Sequence, residues 1–134
     1  KPTNQMLTNS TFILSGSLEL QLEFTPTLVF GITAAQNSAV VPTATVTSFG
    51  VTGPSVKTPN DSTPFHWASC ISTTFTNDAT TGHLLQDTKQ NYHIGGSNVP
   101  ATYADINTWG VNSLTLTATV ATNWELSIML FITG

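Results

Sequence analysis

Period-two alternation of apolar and polar residues constrains this chain more than any other feature. It is cleanest in Ser17-Leu18-Glu19-Leu20-Gln21-Leu22-Glu23-Phe24, where every even position is apolar and every odd position polar. Successive side chains of a β-strand point to opposite faces, so this segment reads as a strand with one face buried. The pattern recurs at Phe65, Trp67, Ile71 and Phe75, with His66, Ala68, Ser72 and Thr74 on the other face, and at Leu114, Leu116, Ala118 and Val120. From Thr43 to Val51 the apolar parity shifts between Val46 and Phe49, which predicts a β-bulge near Ser48.

Turn signals cut the chain at short intervals: Ser15-Gly16, Pro26, Pro42, Gly53-Pro54, Asn77-Asp78, Gly95-Gly96 and Gly110. Short strands at such spacing predict an all-β, antiparallel sandwich or barrel. The 25 threonines agree with it, because β-branched side chains fit strands and disfavour helices. No dozen-residue window carries a helical stripe, although Tyr103 to Trp109 is expected to manage one short helical turn. Gly53 to Pro64, with three prolines, reads as a long surface loop, and Leu84, Leu85, Tyr92 and Ile94 as anchors of a short strand in an otherwise polar stretch. A chain of 134 residues suits one domain, residues 1–134, with one core. Its Lys1-Pro2-Thr3 start, without an initiator Met or leader, suggests the C-terminal part of a longer protein.

Trp124, Leu126, Ile128, Leu130 and Ile132 share one face of a final strand, and Met129 and Phe131 lie on the other. One reading is a central strand covered on both sides. The other buries Met129 and Phe131 against a second copy of the chain. Ala121-Thr122-Asn123 reads as a tight connection, which makes Ser113 to Thr133 a hairpin. The longest apolar run, Ile128 to Ile132, is far short of the roughly 20 residues needed to span a bilayer, so membrane insertion is not expected.

Only ten residues are charged, three Lys and seven acids, for a net charge of −4 with no Arg. Nucleic-acid backbones are met by Lys and Arg, so nucleic acid is an unsuitable partner. The single cysteine, Cys70, excludes an internal disulfide framework, and its apolar neighbours place an inert thiol near the core. Low charge also leaves few gatekeepers on strand edges, which must then be closed, covered or shared.

Catalytic machinery is not recognisable. No G-x-S-x-G elbow is present. Glu19 and Glu23 are the closest acid pair but occupy the polar face of one strand, and no acid stands in an identifiable apolar pocket. His66, His83 and His93 belong to no known motif. His83, His93 and Asp87 have the chemistry of metal ligands without a zinc spacing, so solvated loop histidines are the preferred reading, and neither metal nor cofactor is expected. Trp109 differs from Trp67 and Trp124 in following the polar stretch from Tyr103. A loop bringing Tyr103, Asp105, Asn107 and Trp109 together is the preferred ligand-binding candidate; the alternative makes Trp109 a structural anchor. Asn9-Ser10-Thr11 and Asn60-Asp61-Ser62 fit the N-glycosylation pattern.

Low charge, richness in Thr, Ser and Asn, short strands throughout, and the apolar strand from Trp124 to Gly134 together resemble the trimeric β-sandwich heads of viral fibres and phage spikes or tail needles. They are similar also to tumour-necrosis-factor and C1q-like jelly rolls. The resemblance implies a jelly-roll-like homotrimer at the virion surface or otherwise extracellular, a non-enzymatic attachment head contacting a host-cell surface glycan or protein receptor. Two other expectations stand beside it: a structural pilin or capsid-type subunit, and a soluble carbohydrate-binding lectin module with Tyr103 and Trp109 as stacking platforms.

Overall fold

The computed structural model describes residues 4–37, 44–54, 67–76, 83–86, 90–91, 93–98 and 100–134. Every regular element among them is a strand: β1 (Gln5–Phe12), β2 (Gly16–Gln21), β3 (Leu28–Asn37), β4 (Ala44–Gly53), β5 (Trp67–Thr76), β6 (His83–Gln86), β7 (Gln90–Asn91), β8 (Gly95–Asn98), β9 (Ala101–Trp109), β10 (Ser113–Thr119) and β11 (Trp124–Thr133). They build two antiparallel sheets packed as a sandwich. The larger has the order β1-β11-β3-β4-β5-β6, with β7 also paired to β5, and the smaller the order β2-β10-β9-β8.

The two ends of the chain nest in jelly-roll fashion, β1 on β11 and β2 on β10. Between them, β3 to β6 and β8 to β10 run as meanders within one sheet each. The hairpin expected over Ser113 to Thr133 does not form, because β10 and β11 belong to different sheets. Their connection crosses between layers and is held from three sides. The Ala121 N–H donates to the buried Thr102 Oγ1 at 3.1 Å, the Val120 N–H to Ser15 Oγ at 2.8 Å, and the Trp124 N–H to the Ala121 carbonyl at 3.0 Å. Asn123 takes a left-handed backbone (φ 63°), which a short polar side chain tolerates and a β-branched one does not. Asn123→Val is expected to cost about 1–2 kcal/mol in urea unfolding, with Asn123→Gly near neutral.

The core lies where the alternation places it. Leu20 and Leu22, Leu114, Leu116 and Ala118, and Ala104 and Ile106 come from the smaller sheet and its flanks. They meet Leu126, Ile128, Leu130 and Ile132 of β11, Val29 and Ala35 of β3 and Val46 of β4. Each aliphatic side chain fully buried here contributes about 1.5–3 kcal/mol. Trp124 and Trp109 pack against this core, partly buried.

β3 and β4 invert the usual rule. Their inward positions hold Gly31, Thr33, Ser48, Gly50 and Thr52 beside Val29, Ala35 and Val46, and Ile32 and Phe49 point outward. The bulge expected near Ser48 is therefore absent: β4 pairs without interruption with β3 and with β5. The parity shift instead reflects a polar residue facing in and an aromatic facing out. Small residues are required because the segment from Ile94 to Ser97 presses directly on these strands. A Cβ on Gly50 would overlap the Ile94 carbonyl, and one on Gly31 would sit 2.9 Å from Ile94 Cγ1. Packed sheets ordinarily lie about 10 Å apart, with side chains filling the gap; here backbone fills it.

That close approach buries backbone donors, which must find partners. The Gly96 N–H donates to Ser48 Oγ at 2.6 Å, and the Ser48 and Thr33 hydroxyls, 2.6 Å apart, share a further hydrogen bond. Gly96 has φ 120°, open only to glycine. Gly95-Gly96, expected as a turn, thus opens a strand that ties the two layers together. Ser48→Ala would strand a buried donor, and a loss of about 1–3 kcal/mol in chemical denaturation is expected.

Candidate functional site

At one end of its strands the outer face of the larger sheet is apolar. Strand registry aligns Met129 with Ile32 and Ile32 with Phe49, and in the next row Leu7 with Phe131, Phe131 with Phe30 and Phe30 with Val51. Ile32 is 51% exposed, Phe49 50%, Met129 44%, Phe131 36% and Leu7 65%. The Phe30 and Phe49 rings lie 6.1 Å apart, tilted by 34°. Toward the other end of the strands the face turns polar. Thr11 and Ser127 hydroxyls hydrogen-bond at 3.2 Å, and beyond them Gln36 donates to the Glu125 carboxylate. Between the apolar and hydroxyl rows runs a groove of about 440 Å³ bordered by Ile32, Ala34, Thr47, Ser127 and Met129. Met129 and Phe131, the interface candidates, thus occupy one continuous face with Ile32 and Phe49.

The outer face of the smaller sheet is of opposite character. On β10, Thr115, Thr117 and Thr119 alternate with the buried Leu114, Leu116 and Ala118. Registry sets Thr117 between Ser17 and Asp105, and Thr119 beside Tyr103. His93, just before β8, stacks on Tyr103 with ring centroids 3.8 Å apart and planes 20° apart, and its Nδ1 is 2.7 Å from Asp105 Oδ1. The His93 and Asp105 side chains are 17% and 30% exposed. An imidazole so held has its plane and position fixed by two contacts at once.

Tyr103, Asp105, Asn107 and Trp109 all belong to β9, neither a loop nor a helical turn. Pairing jumps from Thr108 opposite Thr115 to Ile106 opposite Leu116, so Asn107 is the extra residue of a β-bulge. The bulge changes the parity of the strand. Tyr103 and Asp105 face outward, and Trp109, opposite the buried Leu114, packs on the core. The structure thus brings Tyr103 and Asp105 together, adds His93, and sends Trp109 to the other side.

Among the described residues, no three His, Cys, Asp or Glu side chains gather as metal ligands. His66 and Asp87 lie outside the described residues, as do Asn60 and most of the loop from Gly53 to Pro64; His83 is placed by its backbone on β6 and Cys70 on β5. Asn9 is exposed on β1, opposite Met129. Glu19 is exposed on β2 and accepts from Gln21 at 2.6 Å.

The fold and its two faces define an all-β sandwich with an apolar patch on one sheet surface and a hydroxyl-rich surface on the other. No family model matches the chain, and no curated protein does. Weak structural neighbours are phage tailspike proteins. The crystal structure of the Acinetobacter phage vB_ApiP_P1 tailspike protein is similar over 98% of this chain, with 15% identity and a TM-score of 0.30. That of the Acinetobacter baumannii phage AM24 tailspike protein is similar over 96%, with 9% identity and a TM-score of 0.35. This chain spans 22% and 25% of the lengths of those two proteins.

Proposed function

We propose that the chain is a non-enzymatic attachment head of a viral or phage fibre or spike, assembled as a homotrimer through the outer face of its larger sheet and displayed at the virion surface to a host-cell glycan or protein. The observation that carries this reading is the pair of cross-strand apolar rows, Leu7-Phe131-Phe30-Val51 and Met129-Ile32-Phe49. Contiguous exposed apolar surface of this kind favours burial between molecules, and no charge interrupts either row. Assembly would also multiply weak receptor contacts into avidity. Light scattering across a concentration series is expected to give three times the 14.2 kDa of one chain; a monomer at micromolar concentration overturns the reading.

One observation favours a second reading, the pilin or capsid-type subunit. β1 is an edge of the larger sheet beside the apolar rows, and its sequence, QMLTNSTF, contains no charge to discourage strand pairing. Open-ended, concentration-dependent filaments support that alternative, and a closed oligomer of fixed size opposes it.

A further inference from the structure

We infer that the outer face of the smaller sheet around His93, Tyr103 and Asp105 is a binding site for uncharged sugar. This deepens the attachment reading, on which it rests, by naming the ligand class and the place. A pyranose has an apolar C–H face and a rim of hydroxyls, and it needs a surface offering both chemistries within a few ångströms. The stacked His93 and Tyr103 rings together supply an aromatic body with polar tips. The Asp105 carboxylate, with four lone-pair sites, can accept sugar hydroxyls beside its contact to His93. Thr119, level with Tyr103 in the neighbouring strand, extends the surface with a hydroxyl that can both donate and accept.

The site is also rigid. His93 is held by the Tyr103 ring at 3.8 Å and by Asp105 at 2.7 Å, and all three groups stand on or next to paired strands. Side chains already ordered lose little entropy on binding, which matters for a ligand as weakly held as a sugar.

Charge decides between sugar classes. Glu19 and Asp105 are the charged residues of this face, and no Lys or Arg occurs among the described residues. Sialic acids, uronic acids and phosphosugars would meet like charge with no lysine or arginine among the described residues to offset it.

The test titrates the full isotope-labelled chain with neutral oligosaccharides of glucose, galactose, mannose and N-acetylglucosamine, and with sialylated and uronate-bearing counterparts, following backbone amide resonances. At least one neutral series is expected to shift resonances centred on Tyr103, Asp105 and Thr117, and to bind at least about tenfold more tightly than its acidic counterpart. Tyr103→Ala and Asp105→Asn should each weaken that binding about tenfold or more, while Glu125→Gln on the other sheet leaves it unchanged. Should Tyr103→Ala not fold, Asp105→Asn and the wild-type shift map decide. The site is overturned if no neutral sugar binds, if acidic sugars bind equally well, or if the shifts map elsewhere. A closed trimer that ignores neutral sugars removes the site and leaves the assembly reading standing; a monomer that binds them does the reverse.

Discussion

Gly50→Ala is expected to abolish or severely weaken folding, with a loss of at least about 3 kcal/mol and a fall in Tm of roughly 10 °C or more. The added methyl would overlap the backbone carbonyl of Ile94, not a side chain able to rotate away. Relief requires the segment from Ile94 to Ser97 to lift off β3 and β4, and with it the hydrogen bond from Gly96 to Ser48. Gly16→Ala provides the control, since nothing lies within 4 Å of the added carbon. Thermal and urea unfolding of the pair measure the difference. Near-wild-type stability of Gly50→Ala would mean that the two layers are not in backbone contact at this point.

The second large effect concerns assembly. Met129→Asp is expected to convert the proposed trimer to a monomer, weakening association more than a hundredfold, because a carboxylate buried without a partner costs about 3–5 kcal/mol in each protomer. Met129 lies opposite Ile32, itself opposite Phe49, so the charge falls at the centre of an apolar row. The isolated fold should keep its far-ultraviolet spectrum, since the side chain is already 44% exposed in the single chain. Thr115→Asp on the smaller sheet should leave the oligomer intact. Light scattering that returns an unchanged mass for Met129→Asp would place the interface elsewhere.

β2 and β11 are legible in the sequence because both alternate strictly and both fill the core with large aliphatics. β3 and β4 are not, for a physical reason. Where backbone packs against backbone, the inward positions must be small, so Gly31, Ser48 and Gly50 lie inside and hydrophobicity points the wrong way. Ile32 and Phe49 consequently do not read as partners of Met129 and Phe131, although the small residues at Gly31, Thr33 and Ala35 mark the inward side of that strand. Gly95-Gly96 is ambiguous for the same reason: a residue pair that serves a turn also serves a close crossing. The bulge at Asn107 has no marker in the sequence, and it separates Trp109 from Tyr103 and Asp105. His93 meets Asp105 only through the pairing of β8 with β9, so the contact follows from strand order and not from any motif. The missing hairpin is of another kind. A short connection suits two strands in one sheet or a crossing between two, and the choice is made by the distant strands β1, β2 and β3.

The nesting of β1 on β11 and of β2 on β10 has a kinetic consequence. β11 separates β1 from β3 in the larger sheet, and β10 separates β2 from β9 in the smaller. Until β10 and β11 have been synthesised, β1 and β2 therefore lack the strands they pair with among the described residues. Closing such loops of about a hundred residues precedes any reward from the contacts they bring, which makes folding slow. During synthesis β1 and β2 would wait unpaired, and the ten-residue β11 would join β1 to β3 in one late step.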